Sequence, residues 1–406
     1  MSEWPLDWRI SSLEELASHI TSGGTPTSGS PRYYSEAGGL PFAKTEDLTR
    51  AKSKYLDDCE LHVTEAALRD SAAKKYPTGT ILVSMYGTIG LTKITARELA
   101  ANQALCALIP PFTCDSNYLY HHLDFIRQDW LRFSGQTTQA NISGAVVRAR
   151  EVPLPPAREQ KEIAKVLTTL DTAIRETELL IDKLQAVKQG LLHDLLTRGI
   201  DANGQLRPPQ SEAPQLYKES PLGWIPREWS LTQLGKVAAL QRGYDIVEAK
   251  LTPGPFPVIS SSGIVGYHNA STSSGPNVLV GRKGSIGTVH FVETDLWAHD
   301  TSLFVTNFFG NCEKFVFYLF NYLRLGQYGT KSGSPSLNRN DVHPLPICRP
   351  SLDEQNEIVR ILDSQHDEVS RSEHERNKLM KLKAGLMDDL LTGRVRVTPL
   401  LQGPSC

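Results

Sequence analysis

The sequence has few of the features that mark disulfide-rich, metal-binding or membrane-spanning proteins. Only six cysteines occur in 406 residues, and no two of them form a C-x-x-C pair. This spacing indicates neither a zinc site nor a disulfide framework. The N-terminus lacks the apolar segment of a signal peptide, and the longest uncharged stretch, 251–281, is interrupted by Gly, Pro and Ser. We therefore expect a soluble, cytoplasmic protein.

The chain also lacks an excess of either charge. Lys and Arg number 43 against 45 Asp and Glu, which gives a formal net charge of -2 at pH 7. This balance excludes a polybasic protein that holds nucleic acids by bulk electrostatic attraction. Residues 1–155 carry 15 basic and 17 acidic side chains, whereas 221–350 carry 11 basic and 8 acidic ones. Any contact with nucleic acid must be local, and only the second segment is basic.

Motifs of enzymes that act on nucleic acids are missing as well. There is no G-x-x-x-x-G-K-[ST], which excludes a P-loop motor. The segment IPPF resembles the N-P-P-[YF] motif of amino-methyltransferases, but Ile109 stands where a polar side chain must accept the hydrogens of the target amine. The E-x-K at 248–250 lacks a supporting strand pattern, and the histidines lack an H-E-x-x-H or triad setting. We expect a non-catalytic chain without a metal site.

An internal duplication is the most informative feature that the chain does contain. Between 159–197 and the segment 195 residues later, 15 of 39 positions are identical. The strand-like ILVSMYGTIG at 81–90 matches VLVGRKGSIG at 278–287, and each copy opens with P-x-x-W and closes with P-L-P. The shared Gly spacing predicts a tight hairpin, and Trp8, Trp229, Leu13 and Leu234 are predicted core residues.

The segments that close the two copies have heptad periodicity. Eight of ten seam positions between 157 and 197 are apolar, and Thr177 and Lys188 are the exceptions. The second copy keeps the period but has a polar stretch in its seam. Helices of this length, about 60 Å at 1.5 Å per residue, bury matching seams most simply against each other. The pattern predicts two long antiparallel coiled-coil helices.

Local signals mark the ends of these helices. Ser351 and Glu354 have the spacing of a capping box at the start of the second helix. Gly199 and Gly393 follow the two helices as stop signals.

The predicted fold class is therefore mixed α+β. Two similar globular units, related by a pseudo-twofold internal duplication, are separated by the two helices. The predicted boundaries are 1–155 for the first unit, 156–198 for the central helix, 199–220 for a linker, 221–350 for the second unit, 351–393 for the distal helix and 394–406 for a tail.

The ordered set of motifs resembles the specificity subunit of type I restriction-modification systems from end to end. The residues that carry the resemblance are GWIPREW at 223–229, ILVSMYGTIG at 81–90, SGQTTQANIS at 134–143, VPLPPAREQKEIA at 152–164 leading into GLLHDLLT, and SLNRNDVHPLPICRPSLDEQNEIV at 336–359. Each piece alone is weakly specific, but their order along the chain is specific.

The resemblance implies two target-recognition domains, each reading one half of a bipartite site in double-stranded DNA. It also implies a non-catalytic chain that recruits two methyltransferase subunits and two motor-endonuclease subunits. S-adenosylmethionine, ATP and Mg are then expected on those partners, and no cofactor is expected on this chain. The residues alone leave an alternative open, a coiled-coil scaffold that carries two binding modules without DNA.

Candidate DNA-contacting residues lie in polar loops and hairpin tips at matching places in the two copies. Amide, guanidinium and hydroxyl groups there could read base edges, although a solvated loop is the alternative interpretation. The candidates are Tyr86, Arg132, Gln136, Thr137, Thr138, Gln139 and Asn141 in the first unit, and Arg242, Tyr244, Arg282, Lys283, Lys331, Ser332, Ser334 and Asn338 in the second. Glu159, Gln160, Glu354 and Gln355 are candidates for helix caps or for contacts with the methyltransferase subunits.

Overall fold

The computed structural model describes residues 4–35, 38–133, 141–247, 249, 251–330 and 335–401. The chain divides into two compact units, 1–180 with 373–406 (unit 1) and 181–372 (unit 2). Unit 2 is one continuous segment, whereas unit 1 consists of the two segments that flank it, so each unit contains the start of one long helix and the end of the other. Among the described residues, no helix is both long enough and apolar enough to cross a membrane.

Unit 1 is built mainly from short strands. In chain order they are Arg9–Ser12, Ala17–Ser22, Tyr34–Ser35, Leu40–Ala43, Tyr55–Leu56, Leu61–Val63, Lys74–Tyr76, Ile81–Ser84, Thr92–Thr95, Leu99–Ala101, Leu105–Phe112 and Glu151–Leu154. Its short helices are Leu13–Leu16, Thr45–Arg50, Glu65–Asp70, Ser116–Phe125, the 3-10 helix Ile126–Phe133, Gly144–Arg148 and Thr398–Leu401. Within the described ranges the strands form two five-stranded sheets and one two-stranded sheet.

Unit 2 repeats this plan with fewer strands. They are Tyr217–Ser220, Gly223–Pro226, Ser230–Gln233, Ala239–Arg242, Phe256–Ser260, Gly263–His268, Asn277–Gly281, Val289–Val292, Trp297–Ala298, Ser302–Asn307 and Pro346–Arg349. Its short helices are Glu313–Leu323 and Arg339–Val342, with 3-10 turns at Pro214–Leu216, Leu234–Lys236 and Leu325–Tyr328. The described strands form one four-stranded, one three-stranded and two two-stranded sheets.

The sequence duplication is a duplication of fold. The strand order Ala17–Ser22, Leu105–Phe112, Ile81–Ser84, Thr92–Thr95 in unit 1 corresponds to Ala239–Arg242, Ser302–Asn307, Asn277–Gly281, Val289–Val292 in unit 2. An antiparallel strand pair closes each unit, with Ile10 opposite Pro153 and Leu231 opposite Cys348. The predicted hairpin is confirmed, since Asn277–Gly281 and Val289–Val292 pair in antiparallel register.

The two long helices are observed as Ala157–Thr197 and Leu352–Leu391. All ten predicted seam positions of each helix are buried or half-buried. The helices run antiparallel inside each unit. In unit 1, Lys383 forms an ion pair with Asp171 at 2.7 Å, and in unit 2 the Lys188 amine lies 2.9 Å from Nδ1 of His366. The predicted mixed fold class and paired helices are confirmed.

Each globular core includes the helix ends that reach it. The apolar core of unit 1 contains Ile163 and Leu167 from the first long helix and Leu390 from the second. The core of unit 2 contains Ile358 and Leu362 from the start of the second long helix. The predicted core residues Trp8, Leu13, Trp229 and Leu234 are all buried. The globular parts and the helix ends therefore share one core in each unit.

In unit 2, a largely buried carboxylate connects the start of the second long helix to the chain that follows the first. Glu354 accepts hydrogen bonds from the guanidinium of Arg207 at 2.5 Å, from the indole of Trp229 at 2.9 Å and from the backbone N–H of Ile200 at 2.9 Å. Arg207 also binds Glu228 at 2.9 Å. The capping box expected here is therefore half-formed. The Glu354 N–H donates to the Ser351 hydroxyl at 3.3 Å, but the Glu354 side chain binds this cluster instead of returning to Ser351.

Unit 1 contains the matching cluster. Arg396, beyond the end of the second long helix, binds Glu159 at 2.5 Å and Asp7 at 2.7 Å. Asp7 and Glu228 each directly precede the Trp of the P-x-x-W motif. In both units an Arg that follows one long helix thus joins the start of the other long helix to the opening motif of the globular part.

The helix stops are required by the same packing. Gly199 and Gly393 have φ of +62° and +73°, a conformation that favours glycine. A Cβ on Gly199 would lie 2.1 Å from Oε1 of Glu354, and one on Gly393 would lie 2.6 Å from Pro5. The predicted stop signals are confirmed, and each also allows the chain to approach the carboxylate cluster or the Trp motif closely.

A buried glutamine side chain also holds the start of each long helix, with the same two contacts in both halves of the chain. Gln160 accepts from the backbone N–H of Asp115 at 2.9 Å and donates to the carbonyl of Pro155 at 2.8 Å. Gln355 accepts from the N–H of Cys312 at 3.0 Å and donates to the carbonyl of Pro350 at 3.1 Å. Both glutamines are buried, so these bonds satisfy polar groups that would otherwise be costly.

Unit 1 also buries two adjacent imidazoles on the helix Ser116–Phe125. His121 lies 3.0 Å from the Thr168 hydroxyl of the first long helix, and His122 stacks on Tyr118 at 6.3 Å between ring centroids. Burial disfavours the charged imidazole and lowers the pKa of both side chains to about 3. Both histidines are therefore neutral in the folded unit throughout the physiological range.

Removing the charge of Glu354 should destabilise unit 2. The substitution Glu354→Gln leaves Arg207 nearly buried beside the exposed Glu228, and breaking such a buried pair costs about 3 kcal/mol. Urea unfolding of the full chain measures this loss. The matched control is Glu357→Gln, one turn further along the same helix, where the lost partner is the exposed Arg360. Equal stability of the two variants would contradict the anchoring role of Glu354.

Acid should destabilise unit 1 through its buried histidines. The pKa of each histidine is lower in the folded chain than its unfolded value of about 6.5. Between pH 6.5 and 3 the unfolded chain therefore binds more protons than the folded chain, and the free energy of unfolding decreases as the pH falls through this range. At pH 5 each imidazole accounts for about 2 kcal/mol of the loss relative to pH 7. His122→Leu should flatten the measured pH dependence of the free energy of unfolding, whereas His19→Leu, which alters an exposed residue, should not. An unchanged slope in His122→Leu would refute this assignment.

Candidate nucleic-acid interface

The hairpin tips of the two units are held by the same backbone hydrogen bonds. In unit 1 the N–H of Met85 donates to the carbonyl of Ala104 at 2.8 Å, and the N–H of Ile142 donates to the carbonyl of Met85 at 3.0 Å. In unit 2 the N–H of Arg282 donates to the carbonyl of Thr301 at 2.7 Å. The N–H of Leu337 likewise donates to Arg282 at 2.9 Å. One backbone frame thus presents different side chains in the two units.

In unit 2 this frame brings together candidates from separate segments. The backbone N–H of Tyr244 donates to the carbonyl of Ala298 at 2.8 Å, and that of Gly243 donates to Ser302 at 3.0 Å. Arg242 forms an ion pair with Asp300 at 2.8 Å. Arg242, Tyr244, Arg282 and Lys283 therefore converge on the turn 299–301, and we call this group the unit 2 surface.

The charged side chains of the unit 2 surface differ in their exposure and in whether they form an ion pair. The side chain of Arg242 is 54% exposed and bound to Asp300. Arg282 and Lys283 are half-buried, and within the described residues neither forms an ion pair. Nη1 of Arg282 is buried without a hydrogen-bond partner there. Lys283 therefore offers an ammonium group that no carboxylate among the described residues neutralises, whereas Nη1 of Arg282 is enclosed by the chain.

The turn 299–301 itself was not among the predicted residues. Nδ1 of His299 lies 2.9 Å from the Thr301 hydroxyl, which also accepts from the backbone N–H of Ser261 at 3.2 Å. Comparing the two copies at an offset of 197 would have found this turn. That offset aligns Ala101 with Ala298 and the dissimilar Gln103 with Asp300.

The corresponding surface of unit 1 is uncharged. Tyr86 is 43% exposed, and its backbone forms an isolated bridge with that of Asn141. The Thr25 hydroxyl donates to the amide oxygen of Gln103 at 2.7 Å, and Gln103 is the counterpart of Asp300 at the offset of 197. We call Tyr86, Asn141, Gln103 and Thr25 the unit 1 surface. Its donors and acceptors are hydroxyl and amide groups.

The remaining candidates lie apart or outside the described ranges. Arg132 ends a 3-10 helix, is 80% exposed and lies 3.6 Å from Asp129. Asn338 is exposed and caps the helix Arg339–Val342, directly after Leu337 of the backbone frame. The candidates Gln136, Thr137, Thr138, Gln139, Lys331, Ser332 and Ser334 lie outside the described residues.

The four candidates for partner contact hold the helix starts within the chain. Glu159 and Gln160 are 2% and 6% exposed, Gln355 is 1% exposed, and the Glu354 side chain is 10% exposed. Their hydrogen bonds described above account for their polar atoms. Their use by a methyltransferase subunit stays a prediction.

One group of side chains among the described residues could reach a common cation. It comprises Asp245, His299 and Asp300, whose ligand atoms lie within 4.8 Å of one another. Asp300 is already bound by the Arg242 guanidinium, which competes with a cation for its charge. The group therefore carries no metal assignment.

A family model described as "Type I restriction modification DNA specificity domain" matches residues 5–186 and 226–382. The two matched segments correspond to the two copies of the duplication. Each contains the globular part of one unit together with most of a long helix.

Several curated proteins are similar to the chain. It is 23% identical over 435 residues to the putative type I restriction enzyme MjaX specificity subunit of Methanocaldococcus jannaschii, covering 98% of this chain and 96% of that protein. It is 23% identical to the type I restriction enzyme EcoprrI specificity subunit of Escherichia coli, with 85% and 84% covered. An alignment with the MjaIX specificity subunit of M. jannaschii, at 25% identity, covers 59% of this chain and 53% of that protein.

Solved structures share the fold at low sequence identity. The crystal structure of a type I restriction-modification system S subunit from M. genitalium aligns with a TM-score of 0.62 at 16% identity, over 94% of this chain and 96% of that one. A chain from a structural study of complex assembly and conformational transition in the type I R-M system aligns with a TM-score of 0.55 at 16% identity, over 97% and 100%.

Proposed function

The chain belongs to the type I restriction-modification DNA specificity family, and from this premise we propose that each of its two units reads one half of a bipartite DNA site. Sequence recognition of DNA is the function of the family. The observation that carries the assignment of one half-site to each unit is the shared backbone frame, which presents an uncharged surface in unit 1 and a charged one in unit 2. Two readers of different sequences need the same scaffold with different side chains.

The side chains of the two surfaces fit this role. Guanidinium, amide and hydroxyl groups can distinguish bases by their hydrogen-bonding edges, and lysine contacts phosphates without reading sequence. We assign base reading to Arg242, Tyr86, Asn141 and Gln103, and phosphate contact to Lys283. Since affinity from phosphates is independent of sequence, the selectivity must come from the fixed polar groups.

The long helices are proposed to set the distance between the half-sites. They are 41 and 40 residues long, about 60 Å at 1.5 Å per residue. Half-sites read from one face of DNA lie about 34 Å apart or at multiples of this distance. Helices locked at both ends by buried carboxylates are stiff enough to fix such a spacing.

Catalysis is proposed to reside on partner subunits. The sequence carries no nucleotide-binding or methyltransferase motif. Two methyltransferase subunits and two motor-endonuclease subunits would supply the chemistry, with S-adenosylmethionine, ATP and Mg bound there. We propose a cytoplasmic location for the chain, where the methyltransferase subunits would modify the DNA.

A complex of the full chain with its methyltransferase subunits should bind one DNA sequence selectively. Fluorescence anisotropy at a stated salt concentration should show at least 1000-fold tighter binding to the recognised duplex than to a scrambled one, as is typical of specific complexes. The chain alone should neither methylate DNA nor bind S-adenosylmethionine. Equal affinity for both duplexes would favour the alternative, a scaffold that carries two modules unrelated to DNA.

Exchanging one globular part should change one half of the methylated motif. Replacing residues 1–155 with the corresponding segment of another specificity subunit should alter one half-site and leave the other half unchanged, because the unit 2 surface is retained. Long-read sequencing of methylated genomic DNA measures the motif. The reciprocal exchange of 221–350 is the control and should alter the opposite half. A change in both halves, or in neither, would refute the assignment of one half-site to each unit.

A further inference from the structure

The ion pair between Arg242 and Asp300 lies at the exposed end of a strand in unit 2. Nη2 of Arg242 lies 2.8 Å from Oδ2 of Asp300, and the two side chains are 54% and 17% exposed. Exposed ion pairs contribute little to stability in general, so a gain in stability is a weak reason for this contact. Its geometric consequence is that one side of the guanidinium is fixed while the rest faces solvent.

The acidic partner lies in a turn whose backbone is hydrogen-bonded on both sides of it, from His299 to Ile259 and from Ser302 to His299. Its second carboxylate oxygen lies 3.2 Å from Nδ1 of His299. The carbonyl of Thr301, the next residue, accepts from the N–H groups of both Arg282 and Lys283. The strand that carries Arg242 is paired to the chain just beyond this turn, with Arg242 opposite Leu303. Both members of the ion pair are thus positioned by the backbone frame of unit 2.

The remaining donors of Arg242 suit a base better than a phosphate. A guanidinium has five N–H donors, and Asp300 is the described partner of one nitrogen. A phosphate would be repelled by Asp300 and by Asp245, whose carboxylate lies in the same cluster. A guanine presents two neutral acceptors, O6 and N7, at the spacing of the guanidinium fork, and this pairing is the commonest specific contact between Arg and DNA.

Unit 1 has no arginine at this place. Arg242 lies opposite Leu303, and the counterpart of Leu303 in unit 1 is Cys106. Ser22 lies opposite Cys106 and is therefore the counterpart of Arg242. Gln103 stands where unit 2 has Asp300. The difference between the units therefore predicts a guanine contact in one half-site alone at this position.

We propose that Arg242, braced by Asp300, reads a guanine in the half-site that unit 2 recognises. The inference rests on the proposed function and adds to it the identity of one base and the residue that selects it. Asp300 acts as a positioning residue, because it holds the guanidinium in place and does not itself contact the DNA.

The test uses the complex of the full chain with its methyltransferase subunits. Methylated motifs are determined by long-read sequencing, and affinity is measured on duplexes that carry each base in turn at every position of the motif. The wild-type complex should require a guanine, on one strand or the other, in the half-site assigned to unit 2. Arg242→Gln should reduce the discrimination at that position by roughly 10- to 100-fold and leave the other half-site intact.

Variants of the partner residue separate positioning from a merely structural role. Asp300→Asn should weaken discrimination at the same base by less than Arg242→Gln does. The double variant should match Arg242→Gln, because a brace has no effect once the arginine is gone. If Arg242→Gln does not assemble, Arg242→Lys carries the test, since it keeps the charge and the stem but loses the planar fork. The matched control is Arg360→Gln, which removes another exposed, ion-paired arginine of unit 2 and should leave the motif unchanged.

Three results for the Arg242→Gln complex would overturn the proposal. The first is an unchanged base preference, and the second is a change confined to the half-site of unit 1. The third is an equal loss of affinity for every duplex, together with a smaller dependence of the affinity on salt. The last result would identify a phosphate contact. In each case a two-part motif in the wild-type complex leaves the proposed function standing. Absence of any two-part motif would instead refute the proposed function itself.

Discussion

A carboxylate at the start of each long helix, buried in unit 1 and largely buried in unit 2, is the constraint on which the rest of the structure depends. Glu159 and Glu354 each bind an arginine that follows the other long helix, and that arginine in turn binds the acidic residue of the P-x-x-W motif. Charge buried without a partner is strongly unfavourable, so the three chain segments must meet together or not at all. A helix start, the chain that follows the other helix and the opening of a globular part are thereby fixed in one place in each unit.

Because the frame is fixed in this way, the unit 1 surface and the unit 2 surface can differ in their side chains. The hydrogen bonds that hold the hairpin tips are between backbone groups, such as Met85 to Ala104 and Arg282 to Thr301, and they do not depend on the side chains present. Substitutions at Tyr86 or Lys283 change what is offered to a ligand without removing any of these bonds. A scaffold whose register is set by backbone and buried charge can therefore carry an uncharged surface in one unit and a charged surface in the other.

Features with a local signal were predictable from the sequence, and features that depend on distant residues were not. The heptad seams, the hairpin at 278–287 and the stops at Gly199 and Gly393 follow from periodicity and glycine spacing over a few residues, and they are observed. The partners of Glu354 could not be found in this way, because Arg207 is 147 residues away. Its spacing from Ser351 indicated a complete capping box, but a nearly buried guanidinium attracts the carboxylate more strongly than a backbone N–H does. The turn 299–301 has no motif of its own, because its residues differ between the copies, and only the alignment at an offset of 197 marks it as a place of difference.

The ion pairs of the arginines bear on the near-zero net charge of the chain. Many of the arginines form ion pairs within the chain. Arg207 and Arg396 bind carboxylates at the starts of the long helices, and Arg242 binds Asp300. A cation that is paired in this way adds little to the attraction for DNA of arbitrary sequence, because the adjacent carboxylate cancels much of its field. It still offers directional N–H donors, whose value depends on whether the opposing base has acceptors at the right spacing. Under the proposed function, pairing the arginines would lower the non-specific affinity of the chain for DNA while preserving its discrimination between bases. The ratio of specific to non-specific affinity determines how a recognition subunit finds one sequence among many.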